Sequence, residues 1–280
     1  MLKKILELGI MLEPDALEFL KDEKRAALVF EKLGRMKEKP LVLKKREAEE
    51  MCMQITIAKE LKNPTHYSVH DMVGLYAQRY KELQALLMNK IELKNPVSIR
   101  NAKGHSAVIG MKGGNMIEDP TGSMGLVTDI KLLDDDVVGA VGRVNNNTLY
   151  AEKIVFPDTG LRSPARFPMK ITTGKHILVE GTRFYECCGV LVLVHVADHK
   201  KAAKELGINE KDVPLELLKR RHLNKPPNDV IDPVPDIFIT TTTEHFTKNY
   251  KGTTIIGLPK HRAVEIDLET RDIRDIPKTV

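Results

Sequence analysis

Over residues 1 to about 45, the apolar positions Ile5, Leu6, Ile10, Leu12, Leu17, Leu20, Leu28, Val29 and Leu33 recur at helical spacing. Pro14 stands where a second helix begins. The charged run Lys21 to Arg25 reads as a solvated helix face. Residues Arg46 to Lys62 are polar and lose this period, which suits a linker with some helix. A longer helix follows from Ser68 to Leu87, with Val73, Tyr76, Tyr80, Leu83 and Leu87 on one face. Ser68 is its expected cap, with Asp71 where a capping box usually has Glu or Gln. From residue 96 to 158 the pattern changes. Short apolar runs alternate with turns at Gly104, Gly113-Gly114, Pro120-Thr121-Gly122 and Asn145-Asn146-Asn147, which predicts a small β-barrel ordered like an OB-fold. Beyond it lie a basic stretch, Thr159 to His176, then a β-hairpin at Val179 to Val196 and a helical segment at Lys201 to Leu223. The remaining apolar runs, Pro235 to Phe238, Ile255 to Leu258 and Ala263 to Thr270, read as strands. The expected fold is therefore α+β and multidomain. Its parts are a helical domain (1–45), a linker and helix (46–95), a barrel (96–158) and a final α/β domain (159–280).

Composition narrows the class without naming a function. A chain of 280 residues with 42% hydrophobic and 30% charged residues has room for two or three small domains. No apolar run approaches the roughly 20 residues that span a bilayer, so no membrane partner is expected. In MLKKILELGIMLEP, Glu7 interrupts the apolar run and no small-residue cleavage site follows, which reads as an amphipathic helix and not as a signal peptide. Cys52, Cys187 and Cys188 fit neither a disulfide framework nor a zinc site, so a reducing, cytoplasmic setting is expected. A net charge of +5 permits association with nucleic acid without requiring it.

Several strings carry a more specific signal. Val234 to Gly252 reads VPDIFITTTTEHFTKNYKG. It resembles the C-terminal metal loop of the small subunit of archaeal family D DNA polymerase, where a PDIF strand enters a Gly-His-x-His loop and an N-Y-[RK]-G turn follows. Strand and turn are kept here, but both histidine positions are gone, replaced at Thr242 and Glu244. Arg79, Tyr80 and Leu83, followed by Pro96, Val97, Ser98 and Ile99, match another block of that family. So do EDPTG (118–122), DDDVVGAVGRV (134–144), LYAEKIVFPD (149–158) and LLKRRHL (217–223). The resemblance implies an OB-fold followed by a calcineurin-like phosphoesterase domain. It also implies a large catalytic subunit as partner, contact with DNA through the complex, and a role in DNA replication.

The resemblance departs from the family where the chemistry would lie. Intact members are 3′–5′ exonucleases that hold two divalent metal ions roughly 4 Å apart. Their Asp-x-His, Gly-Asp-x-x-Asp and Gly-Asn-His-[Asp/Glu] blocks have no counterpart here. The nearest strings, His70-Asp71, Gly114-Asn115 and Asp198-His199, lack the required neighbours. Only Thr159 to His176 stands where the first half of the phosphoesterase domain belongs, so a truncated, degenerate domain is expected. No cofactor, no bound metal and no catalytic residue are expected, and the chain itself is expected to be inactive. His195 matches a family metal ligand, although Val196 replaces the glycine that follows it; a lone histidine builds no two-metal centre, and the simpler reading is a satisfied histidine at a strand end.

Three functions remain open. The first is a non-catalytic scaffold subunit, with a halved domain that exposes apolar strands such as Cys187 to Val196. The second is a single-stranded nucleic-acid-binding barrel using Arg143, Tyr150 and Lys153. The third is a residual metal-dependent 3′–5′ exonuclease using His195, His199, Glu244 and His245. The basic cluster Lys219, Arg220, Arg221, His222 and Lys225 reads either as a helix end that complements the macrodipole or as a phosphate-contacting patch. No sliding-clamp box is found.

Overall fold

The computed structural model describes residues 2–36, 38–61, 68–223 and 230–276. The chain opens with α1 (Leu2–Glu7), β1 (Met11–Leu12), α2 (Pro14–Phe19), α3 (Glu23–Arg35), β2 (Val42–Leu43) and α4 (Lys45–Cys52). Pro14 begins α2, where its fixed φ suits the first helical turn and no amide donor is lost. Asp22 caps α3 by accepting from the Arg25 amide at 3.0 Å. The stretch expected to be a linker with some helix holds α4 and, beyond that expectation, the strand β3 (Ile55–Glu60). Nearly every residue of β3 is exposed, so it carries no alternation of polar and apolar positions for a sequence reading to detect.

Next come α5 (Val69–Met88), β4 (Gly104–Gly113), β5 (Met116–Asp119), β6 (Gly122–Val127), β7 (Val137–Asn145) and β8 (Thr148–Val155). Asp71 completes the capping box of α5: its amide donates to Ser68 Oγ, and its carboxylate accepts from the Ser68 amide. The five strands close into a barrel in the order β4-β5-β6-β8-β7. Its pairs are antiparallel except β6 with β8, which run parallel. Val108, Ile117, Met124, Val138 and Leu149 fill its interior. Tyr80, Leu83 and Leu87 of α5 pack on the outside of the barrel against Ile109, Val137 and Val155. The buried Tyr80 hydroxyl is satisfied by donating to the Ile109 carbonyl at 3.1 Å.

The C-terminal part contains β9 (Lys170–Thr172), β10 (Thr182–Cys187), β11 (Val190–His195), α6 (Lys200–Leu206) and α7 (Val213–Arg220). It ends with β12 (Ile237–Thr241), β13 (Phe246–Tyr250), β14 (Thr253–Leu258), β15 (Ala263–Asp267) and β16 (Ile273–Ile276). A six-stranded sheet runs β13-β14-β12-β11-β10-β3, and β16-β15-β9 form a smaller sheet. Within the large sheet β11, β12 and β14 are parallel neighbours. Val192, Val194, Ile237, Ile239 and Ile256 face a core shared with Ile5, Leu20, Val29 and Leu33 of the N-terminal region and with Ile171, Val264 and Ile266 of the small sheet. Leu193, Phe238 and Ile255 face α6, α7 and Leu133. The protein is thus mixed α and β, with the large sheet covered on both faces.

This corrects the expectation of exposed apolar strands. Cys187, Val190, Val192, Leu193 and Val194 are fully buried. The N-terminal helices cover one face of β11, and β3 extends the sheet beyond β10, so the apolar surface is sealed from within the chain. Among the described residues no helix is long and apolar enough to cross a membrane.

Candidate functional site

Open sheets with parallel strands place their ligand crevice outside the carboxyl ends of those strands. Here β11 ends at His195 and β12 at Thr241, and the register sets Thr182, His195, Thr240, Gly257 and Phe246 in one row across the sheet. A cavity of about 560 Å³ opens there, lined by His195, His199, Tyr76, Arg79, Asp134 and Asp135 among others. It lies where α5, the β6–β7 connection of the barrel and the N-terminus of α6 meet. Tyr76 donates to Asp135 at 3.3 Å, and the Arg79 guanidinium sits 5.5 Å from the Tyr76 ring centre.

Hydroxyl groups dominate the strand edge. Thr182 Oγ1 is 3.0 Å from His195 Nδ1. The Thr240 hydroxyl donates to the His195 carbonyl at 2.8 Å and lies 2.7 Å from His199 Nε2. Because the Thr240 proton is committed to that carbonyl, His199 Nε2 must be the donor, which assigns the tautomer. The two imidazole rings are 5.8 Å apart and tilted. Thr241 donates to the Ala197 carbonyl and accepts from the Ala197 amide. Thr242 donates to the Glu244 carbonyl at 2.7 Å, and the Glu244 side chain is exposed. His245 pairs with Asp275 at 3.6 Å.

At this edge His199 Nε2 presents an N–H to Thr240 and His195 Nδ1 is engaged by Thr182, so neither of these two nitrogens offers a metal a free lone pair. Among the described residues no three His, Cys, Asp or Glu side chains are grouped as a metal would need.

The barrel candidates do come together. Arg143 and Tyr150 are directly opposite across β7 and β8, and His105 of β4 is opposite Arg143 on its other side. Tyr150 is 50% exposed, and Lys153 lies beyond the bulge after Val141. Glu152 is shared by Arg143 at 3.7 Å and His105 at 3.3 Å, which offsets part of the positive charge.

The basic cluster on α7 does not form a patch. Arg220 and Arg221 are only 2% and 5% exposed. Arg220 binds Asp136 at 3.1 Å, also pairs with Glu216, donates to the Lys131 carbonyl and lies on the Phe156 ring. His222 Nε2 meets the other Asp136 oxygen at 2.7 Å. Arg221 pairs with Asp232 at 2.8 Å, and burial pushes its guanidinium down from the ordinary range. Burial would raise Glu216, but hydrogen bonds from Lys219 and Arg220 hold it below the usual carboxylate range. Lys219, half-buried, is 2.7 Å from Glu216 and 5.9 Å from the centre of the Tyr250 ring. A phosphate patch is replaced by a buried ionic joint between barrel and sheet, because Asp136, at the entry of β7, projects into the C-terminal part. Lys225 lies outside the described residues.

A second joint links two of the sequence strings. At the barrel exit Asp158 accepts from Tyr250 and from Lys251, each at 2.6 Å. Burial, followed by the Asp158 contact, pushes the Tyr250 phenol above its ordinary range. Gly252 has φ +93, and a Cβ there would stand 2.3 Å from the Arg162 carbonyl, so only glycine permits this approach.

Sequence reasoning singled out His195, His199, Thr242 and Glu244 but not Thr182, Thr240 or the part played by Tyr76 and Asp135. These residues come from four distant segments, and only the Arg-Tyr-x-x-Leu block gave any signal for the α5 side.

Comparison with known proteins gives one informative match. The DNA polymerase II small subunit of Archaeoglobus fulgidus is 25% identical over 138 residues, covering 43% of this chain and 28% of that protein. The matched region thus spans less than a third of its relative. No protein-family model matches the chain. The resemblance drawn from the motifs is supported by this similarity: over part of its length, the chain is similar to the small subunit of an archaeal DNA polymerase.

Proposed function

We propose that this chain is a non-catalytic accessory subunit of a family D-type replicative DNA polymerase, binding the large catalytic subunit and meeting DNA through the complex. The observation that carries the reading is the hydroxyl-filled strand edge in a chain similar to a polymerase small subunit. Imidazole positions of the family's metal loop are held by Thr242 and Glu244, while Thr240 and Thr241 satisfy neighbouring backbone and ring groups. The joints at Asp136 and Asp158 are formed by strings that resemble the family. A scaffold that keeps its joints and lacks its ligands suits a role in assembly. In this reading the barrel (96–158) is an OB-fold, supported by the strand order and the parallel β6–β8 closure. Residues 159–280 are a shortened phosphoesterase-like domain, preceded by the helical region 1–45 and the segment 46–95.

A second reading, a barrel that binds single strands, is favoured by the cross-strand neighbours Arg143 and Tyr150 on the barrel surface. One experiment separates the two. The chain is co-expressed with the large polymerase subunit of the same genome, and the product is assayed for manganese-dependent 3′–5′ cleavage, with and without Thr242→His and Glu244→His together. A stoichiometric complex without nuclease activity in either form is expected. Cleavage by the complex would overturn the non-catalytic reading. Absence of a complex, together with single-strand binding that weakens steeply with salt, would favour the barrel reading.

A further inference from the structure

The turn between α5 and the barrel presents apolar side chains to solvent from a rigid support. Ile91 is 86% exposed, and Met88 and Val97 are also exposed. These residues line an open groove of about 720 Å³. The turn is not loose. Leu93 is buried against the barrel, where its side chain occupies the space that a Cβ on Gly139 would need. The Lys90 amide donates to the Leu87 carbonyl, and the Leu93 amide to the Lys90 carbonyl. Lys90 Nζ reaches the Asp158 carbonyl. On the far side, the Val97 amide donates to Ala107 of β4 at 2.8 Å. Because these bonds already hold the backbone, a docking partner would have to order mainly the exposed side chains.

The charge of the groove says what would cover it. Its charged lining residues are Lys94 and Lys90, the latter already bonded to the Asp158 carbonyl, and no carboxylate lines it; Glu92, exposed in the same turn, is not part of the wall. Contiguous exposed apolar side chains rimmed by charge of one sign mark interaction surfaces, and the fitting partner carries apolar anchors flanked by acidic groups. The alternative of a second copy is less well matched, because two such grooves would bring lysines face to face. We propose that this groove receives an acidic segment of the large subunit, one that buries an aliphatic or aromatic anchor against Met88, Ile91 and Val97 and sets carboxylates beside Lys94. The proposal rests on the accessory-subunit reading and assigns the surface through which it operates.

The test is affinity of the purified full chain for the large subunit, by surface plasmon resonance at two salt concentrations, with Ile91→Asp, Lys94→Glu and Leu161→Asp. Ile91 and Leu161 are almost wholly exposed, at 86% and 89%, so neither change threatens folding. Leu161→Asp therefore serves as the control for an exposed leucine outside the groove lining. The expected result is at least a tenfold loss for Ile91→Asp, a severalfold loss with a shallower salt dependence for Lys94→Glu, and no change for Leu161→Asp. Wild-type affinity in Ile91→Asp would overturn the groove while leaving the accessory reading intact. A wild-type chain that ignores the large subunit would overturn that reading itself. Self-association of the wild type that Ile91→Asp abolishes, seen by sedimentation, would assign the groove to a second copy and overturn the proposal.

Discussion

At the end of β12 hydroxyls close their hydrogen bonds within the chain. A threonine next to a strand end can close a local hydrogen bond to the backbone, whereas a metal-ligating imidazole must leave a lone pair free. Thr240 and Thr241 are committed to His195 and Ala197, so the strand edge is satisfied within itself. Buried thiols give a second residue-scale consequence. Burial pushes Cys52 and Cys187 each from 9.0 up to about 12. Both hold their protons in the folded chain after the unfolded chain has lost them. Their contribution to stability is therefore complete below pH 9 and is lost as the pH rises from 9 through 12. Each thiol adds a slope of at most about 1.4 kcal/mol per pH unit in that window. Urea unfolding at pH 8 and pH 10 measures it, and Cys52→Ala should shallow the decline. Equal pH dependence in variant and parent would count against the assignment.

At the scale of elements, the β7–β8 pair has no room for a side chain at Gly142. Gly142 lies beside the bulge that Glu152 makes in β8, and a Cβ there would lie 2.0 Å from the Tyr150 carbonyl and 2.8 Å from the Ala151 Cα, both backbone atoms that cannot swing aside. Gly142→Ala should destabilise the protein by about 1–3 kcal/mol or more through overpacking, read from the denaturation midpoint. Much at this scale was legible beforehand. The period-3.6 face of α5, the capping box at Ser68 and the turn signals of the barrel each depend on local residue choice, and local chemistry is what a sequence displays. The failures share a different cause. β3 was read as linker because its fold comes from backbone pairing with β10, including a register shift at Phe184/Tyr185, and not from its own side-chain pattern. The strand β11 was expected to be exposed because the cover of one of its faces comes from the N-terminal helices, far away in the chain. For Arg220 and Arg221 the choice between helix end and phosphate patch stayed open because their acidic partners, Asp136 and Asp232, are neighbours only in space.

Across the whole molecule, the barrel and the sheet behave as one body to the extent that their joints hold. Asp136 is the centre of the first joint, fully buried between Arg220 and His222 and accepting from the Leu133 amide as well. Asp136→Ala takes one of two carboxylates from the buried Arg220 guanidinium and leaves His222 without its partner oxygen, and a loss of about 3 kcal/mol is expected. Calorimetry would register it as a lower melting temperature, with the two halves melting separately if the joint is what couples them. A single unshifted transition would show that the apolar contacts suffice. The second joint has another kind of consequence. Asp158 and Tyr250 stand 92 residues apart in the chain, yet touch at 2.6 Å. Closing a loop between fixed ends becomes more costly only with the logarithm of its length, about 0.6 kcal/mol for each doubling. The contact is therefore nearly indifferent to how much polypeptide runs between its ends. Chain could be added or removed beside the exposed Gly160 and Leu161 without parting the two halves. That makes the barrel exit a natural seam for evolutionary excision, and a grafting point for an engineer.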